Sequence, residues 1–127
     1  MGDIEKLAIQ NILGNDYICH FVENDWGKEI RIMKTDGLAF ARIYWENDDN
    51  DTIYFNMLNV DESIRKQGVG TYLLSAFKNI AKYLLRQILF LWCKKDSWMN
   101  DWYCRCGFTY YSDYFQEDNH VWLKMIR

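Results

Sequence analysis

The sequence predicts an α/β fold of the α+β kind, in which one domain is built on a mixed, mostly antiparallel sheet flanked by helices. Three observations carry this. Short β-branched and aromatic runs, separated by turn residues, fill the first half of the chain. A strand, a basic loop with two glycines and a helix follow one another across residues 53–85. The nearly continuous apolar run Gln87-Ile88-Leu89-Phe90-Leu91-Trp92-Cys93 has the length of a strand and the composition of one covered on both faces. Strands first and an alternating strand-helix unit after them imply a mixed sheet with helices packed on it.

Taken in order, Asp3 is suited to cap a short helix carrying Ile4, Leu7, Ala8 and Ile12 on or near one side, ended by Gly14. So short a helix needs a surface to pack on. Residues 17–22 read as a strand, and Asn24, Asp25 and Gly27 mark the turn after it. Residues 29–34 and 38–46 are β-rich and joined by the hairpin signal Thr35-Asp36-Gly37. The polar Asn47-Asp48-Asp49-Asn50-Asp51 leads into a fourth strand, 52–60. Beyond it Val69, Leu73, Phe77, Ile80 and Leu84 recur at helical spacing, with an end near Leu85. Residues 94–96 break the apolar run, 97–105 suit a short helix, and Gly107 ends it. Residues 108–115 and 120–126 are expected to be the last two strands, joined by Gln116-Glu117-Asp118-Asn119.

Composition narrows the classes of function. With 127 residues, the chain can bury roughly two-thirds of its extended surface in a single core. Hydrophobic residues make up 50% and aromatics 17%, which excludes a disordered chain. No apolar run approaches a membrane span and no basic-then-apolar leader opens the chain, so a cytoplasmic location is expected. The net charge of −3 argues against a general nucleic-acid binder and suits a cationic partner. Cys104 and Cys106 are one residue apart with no partner histidine, a poor zinc pattern; Cys19, Cys93, Cys104 and Cys106 read as buried, hydrophobe-like thiols, and no metal is expected.

The chemistry concentrates in Val60-Asp61-Glu62-Ser63-Ile64-Arg65-Lys66-Gln67-Gly68-Val69-Gly70-Thr71. Glycines let the backbone turn tightly and bring its amides close to a ligand. At a helix start those amides lack intrahelical partners and sit at the positive end of the dipole, with Arg65 and Lys66 adding charge. An anion such as a diphosphate fits there. A dinucleotide fingerprint would need glycine at Leu73, and a P-loop would need Gly-Lys-Ser/Thr, which is absent.

What remains, Arg-x-x-Gly-x-Gly, resembles the pyrophosphate motif of the GNAT superfamily, the acyl-CoA-dependent N-acetyltransferases, usually Val-x-Pro-x-x-Arg-x-x-Gly-x-Gly. Val60, Arg65, Gly68 and Gly70 take the matching places and Glu62 replaces the proline. The family's second motif, Tyr four residues before Gly-Phe, is matched by Tyr103 and Gly107-Phe108. The likeness covers residues 38–127. In the N-terminal third the family has a strand and two helices, and only one short helix is legible here before the first strand.

The resemblance implies a central strand pair splayed at a bulge, mapping to Leu58-Asn59-Val60, whose backbone meets the thioester carbonyl and pairs with pantetheine. It implies that Lys66, Gln67, Gly68, Val69, Gly70 and Thr71 hold the diphosphate of acetyl-CoA, and that Tyr103 gives a proton to the leaving thiolate. The family's usual Asn after the fifth strand is Asp96 here; it either accepts from a pantetheine amide, takes the amine's proton, or simply starts a helix. The motif strand carries no carboxylate, so no base is assigned, and His20 and His120 read as structural or surface residues. The implied acceptor is a primary amine: a protein lysine or N-terminus, a polyamine or an aminoglycoside. Acid clusters at Glu46/Asp48/Asp49/Asp51 and Asp113/Glu117/Asp118 offer it negative charge, or are solvated turns. A homodimer is compatible with all of this. A competing reading is a non-catalytic module of the same fold that binds acyl-CoA, or a partner through Trp98, Trp102 and Tyr110. The missing base and Asp96 favour it; Arg65, Gly68, Gly70 and Tyr103 oppose it.

Overall fold

A seven-stranded sheet organises the molecule, with strand order β1-β2-β3-β4-β5-β7-β6. The structure is a computed structural model and describes residues 1–111 and 120–127. The elements are α1 (Asp3–Leu13), β1 (Tyr17–Glu23), β2 (Gly27–Lys34), β3 (Ala39–Glu46), β4 (Thr52–Val60), α2 (Val69–Tyr83), β5 (Ile88–Lys94), α3 (Trp98–Arg105), β6 (Thr109–Tyr110) and β7 (His120–Ile126). Strands β1 to β4 form an antiparallel meander, β4 pairs with β5 in parallel through the α2 crossover, and β7 returns antiparallel to β5.

Alternation along the strands sorts side chains onto two unlike faces. Ile30, Ile32, Ala41, Ile43, Ile53, Phe55, Leu89, Leu91 and Leu123 form a dry core with Leu73, Phe77 and Ile80 of α2. Helix α1 packs on α2, where the Tyr72 hydroxyl donates to the Leu13 carbonyl at 2.7 Å and its ring stacks on Tyr17. Helix α3 lies against β5, with Trp102 beside Gly70 at the start of α2. The opposite face of the sheet carries Tyr44, Tyr54, Phe90, Trp92 and Trp122 in mutual ring contact. No helix of the described residues covers it.

The expected face of α1 is corrected. Ile4 is 84% and Leu7 62% exposed, while Ile9 and Leu13 are buried against the core. Six apolar side chains surround this helix, so its own pattern leaves the face open, and α2 selects it. Gly2, not Asp3, is the N-cap. The expectation of four buried thiols holds in part: Cys93 is buried, Cys19 and Cys106 are partly buried, but Cys104 is exposed. Asp113, Glu117 and Asp118, and the expected strand beyond Tyr111, lie outside the described residues. No helix of the described residues is long and apolar enough to cross a membrane, and no cluster of metal-ligand side chains occurs among them.

One carboxylate is buried on the open face. Glu29, 6% exposed, accepts from Arg31 Nε at 3.2 Å and from Arg42 Nε. Burial pushes its pKa up, but the guanidinium hydrogen bonds and charges outweigh burial and hold it below the ordinary carboxylate value. A lowered folded-state pKa stabilises above the unfolded value of about 4.3 and loses that stability as pH falls through the folded value. Glu29→Gln is therefore expected to cost about 1–3 kcal/mol at pH 7, less than for a fully buried pair because Arg31 is half exposed. In thermal melts the gap between wild type and variant should narrow as pH falls below about 4.3 and close only below the lowered folded-state pKa, where the native carboxyl is also neutral. A gap that persists in acid would show that the cost is not ionic.

Candidate active site

The loop after β4 is built by local hydrogen bonds. The Asp61 carboxylate accepts from the Ser63 amide at 3.0 Å and its hydroxyl at 2.6 Å, starting a 3₁₀ turn at Glu62–Ile64. Arg65 Nε donates to the Val60 carbonyl at 3.0 Å, tying the loop back to the strand end. Lys66 and Gly68 then take left-handed backbone angles, φ 68° and 83°. Nothing lies within 4 Å of where a Gly68 Cβ would stand, so the backbone angle, not crowding, asks for glycine there.

Gly68 is the N-cap of α2, and no side chain caps the helix. The Gly68 carbonyl accepts from Tyr72, but among the described residues nothing accepts from the amides of residues 66–71. These donors, the dipole of a fifteen-residue helix, Arg65 and Lys66 converge on one spot. That spot opens into a cleft of about 380 Å³. Its walls are the loop, from Val60 to Thr71, and three side chains of α3: Trp98, Trp102 and Arg105.

Beside the cleft the sheet parts. The last β4–β5 pair is Phe55 with Leu91, yet β4 runs on to Val60 against β3 and β5 runs on to Lys94 against β7. The cause is a bulge. Phe40 pairs with Asn59 and Arg42 with Asn56, so Ala41 faces both Met57 and Leu58, and Met57 takes φ 56°. The bulge thus falls at Met57–Leu58, earlier than the expected Leu58-Asn59-Val60. The freed edge of Leu58, Asn59 and Val60 lines a smaller groove of about 160 Å³ with Arg65, Trp98 and Met99. Asn56, the first β4 residue beyond the paired stretch, has its Oδ1 buried without a hydrogen-bond partner among the described residues.

The sequence-derived site residues distribute unevenly. Leu58, Asn59, Val60, Arg65, Lys66, Gly68, Val69, Gly70 and Thr71 all line the cleft or the groove; Gln67 is exposed and lines neither. Tyr103 is 1% exposed, between Trp102 and Phe108, with Cys93 and Cys106 nearby. Burial, and then those two thiols, raise its pKa above the usual phenol value. Asp96 sits exposed in the turn after β5 at φ 59° and lines neither cavity. The cap of α3 is Ser97, whose hydroxyl accepts from the Asn100 amide at 3.2 Å, so the helix-start role expected of Asp96 falls to its neighbour. Asp49 is likewise a turn residue, accepting from the amides of Asp51 and Thr52. Tyr110 is exposed, with its hydroxyl accepting from buried Asn100 Nδ2 at 2.8 Å.

The family model for the acetyltransferase (GNAT) domain matches residues 15–110, more than half of the chain. The chain belongs to the GNAT acetyltransferase family. A search of curated proteins returned no significant match. Among solved structures, a GNAT family acetyltransferase from Elizabethkingia anophelis with acetyl-CoA bound aligns at TM-score 0.59 and 13% identity, over 90% of this chain and 100% of that one. Escherichia coli ElaA aligns at TM-score 0.61 and 22% identity, over 81% of this chain and 70% of that one. Ard1 from Thermoplasma volcanium aligns at TM-score 0.61 and 18% identity, over 77% of this chain and 69% of that one. At these identities the likeness carries the GNAT fold, a mixed sheet flanked by helices. The family match makes the chain an acyltransferase domain.

Proposed function

We propose that the chain transfers an acetyl group from acetyl-CoA to a primary amine, by direct attack in a ternary complex, the acceptor being a protein lysine or N-terminus or a small cationic amine. The observation that carries this is the set of unpartnered amides at residues 66–71 opening on a cleft that adjoins the parted strands. The diphosphate would take those amides with Lys66, and pantetheine would run along Leu58, Asn59 and Val60 as an added strand. The amine nitrogen attacks the thioester carbonyl carbon, a backbone amide of that edge steadies the oxyanion, and the carbon–sulfur bond breaks. Tyr103 would donate a hydrogen bond to the thiolate as it leaves, and the proton that the amine nitrogen gives up passes through solvent to the sulfur, so that coenzyme A departs as the thiol. The register of Tyr103 before Gly107-Phe108, and its nearness to Cys93, two residues past the last β4–β5 pair, support that role. The acceptor class is supported by the aromatic face, whose rings attract ammonium groups and which no described helix roofs over.

Calorimetry with acetyl-CoA, followed by thiol release with a panel of amines and peptides, tests the proposal. Absence of binding heat would end it. Gly68→Val, which forces a β-branched residue into the left-handed region at a cost of about 1–2 kcal/mol, is expected to weaken acetyl-CoA about tenfold. Gly68→Asn, a residue that tolerates this conformation, should stay close to wild type. Equal affinities for all three would show that the loop does not hold the donor.

A further inference from the structure

Trp98, Trp102 and Arg105 stand at i, i+4 and i+7 of α3, one stripe of the helix, and all three line the cleft. The stripe has a direction. Trp98 also lines the groove along Leu58, Asn59 and Val60, whereas Arg105 lines only the cleft, about 10 Å farther along the helix at 1.5 Å per residue. Between them, Trp102 lies against the first turn of α2, its ring 3.5 Å from where a Gly70 Cβ would stand. The indoles of Trp98 and Trp102 are 6.3 Å apart, and Trp98 is 66% exposed. Among the described residues no carboxylate pairs with Arg105 and no hydrogen bond engages its guanidinium.

An acyl-CoA has the same order of parts: an apolar-edged pantetheine arm, a diphosphate, then a ribose bearing a phosphomonoester. The loop amides and Lys66 already answer to the diphosphate. Resting on the donor reading above, we propose that this stripe is the second wall of the donor site and its nucleotide-selecting element. Trp98 covers the pantetheine arm, Trp102 closes the cleft over the loop, and Arg105 pairs with the 3′-phosphate of the adenosine. An exposed indole left at the mouth of a groove gains by covering an apolar chain. A guanidinium matches a phosphate dianion in charge and in bidentate geometry.

Calorimetric titration of the purified full chain with coenzyme A and with 3′-dephospho-coenzyme A tests this. Arg105→Gln is expected to weaken coenzyme A about tenfold and leave 3′-dephospho-coenzyme A unchanged, so that the wild type's preference for the phosphorylated form disappears. Trp98→Ala is expected to weaken both ligands alike. Loss of both ligands in Arg105→Gln would move Arg105 to the diphosphate and overturn the assignment; unchanged affinities in both variants would overturn the wall. Arg105 and Trp98 are exposed, so melting temperatures near wild type should accompany either result. If wild type itself binds neither ligand, the donor reading fails before the stripe is reached, which separates the two claims.

Discussion

Tyr103→Phe is expected to slow acetyl transfer about ten- to a hundredfold while leaving acetyl-CoA affinity within about twofold. The magnitude follows from what the hydroxyl can do. A hydrogen bond to a charged partner contributes roughly 1.5–3 kcal/mol, and charge on the leaving sulfur exists only as the carbon–sulfur bond breaks. The loss should therefore fall on kcat and spare ground-state binding. Burial and the Cys93 and Cys106 thiols push the Tyr103 pKa above its ordinary value, so the phenol keeps its proton throughout the working range. Its ionisation then imposes no alkaline fall in rate below about pH 10. The rate should instead rise with pH as the acceptor ammonium, with a lysine-like pKa of about 10.4, is deprotonated. Tyr103 is also a core side chain, and deleting one hydroxyl leaves its packing in place, so turnover rather than yield is the measure. Unchanged kcat would make Tyr103 a packing residue alone.

The loop and the strands were legible because each rests on local chemistry. Bounds 52–60 and 120–126 match β4 and β7, whose alternation and flanking turns are complete in sequence. The turn into α2 was legible because glycine at a left-handed N-cap has few substitutes. The bulge was misplaced because Met57 adopts φ 56° with no glycine or asparagine to announce it; pairing with β3 imposes that angle. The α3 wall was missed for a different reason. Its i, i+4, i+7 spacing can be read from Trp98, Trp102 and Arg105, but spacing cannot say what a helix faces, and only the crossover that brings Trp102 to Gly70 turns the stripe toward the loop. Tryptophans that composition offered as a partner surface thus become cleft walls. The open aromatic face has the same history: Tyr44 and Tyr54 alternate as they should, and whether anything covers them is a property of the assembled sheet.

Phe77→Ala is expected to cost about 3–5 kcal/mol, the largest stability loss among these variants. Phe77 has no exposed surface and stacks on Phe55 of β4 with ring centres 5.0 Å apart. Removing the ring leaves a cavity bounded by two rigid elements, α2 and the sheet, that cannot collapse into it, and it forfeits an aromatic pair contributing about 0.5–1.5 kcal/mol beyond its area. Against a typical total of about 5–15 kcal/mol, such a loss should lower the melting temperature by roughly 10–20 °C. Tyr83 is the control on the same helix: 44% exposed, it should cost under about 1 kcal/mol when changed to alanine. The consequence reaches function, because the loop proposed to hold the donor is the leading end of α2. A helix that settles into the cavity carries its free amides with it, so Phe77→Ala should also weaken acetyl-CoA below the melting transition, whereas Tyr83→Ala should not. Equal stability losses in the two variants would mean that the Phe55–Phe77 contact does not anchor α2.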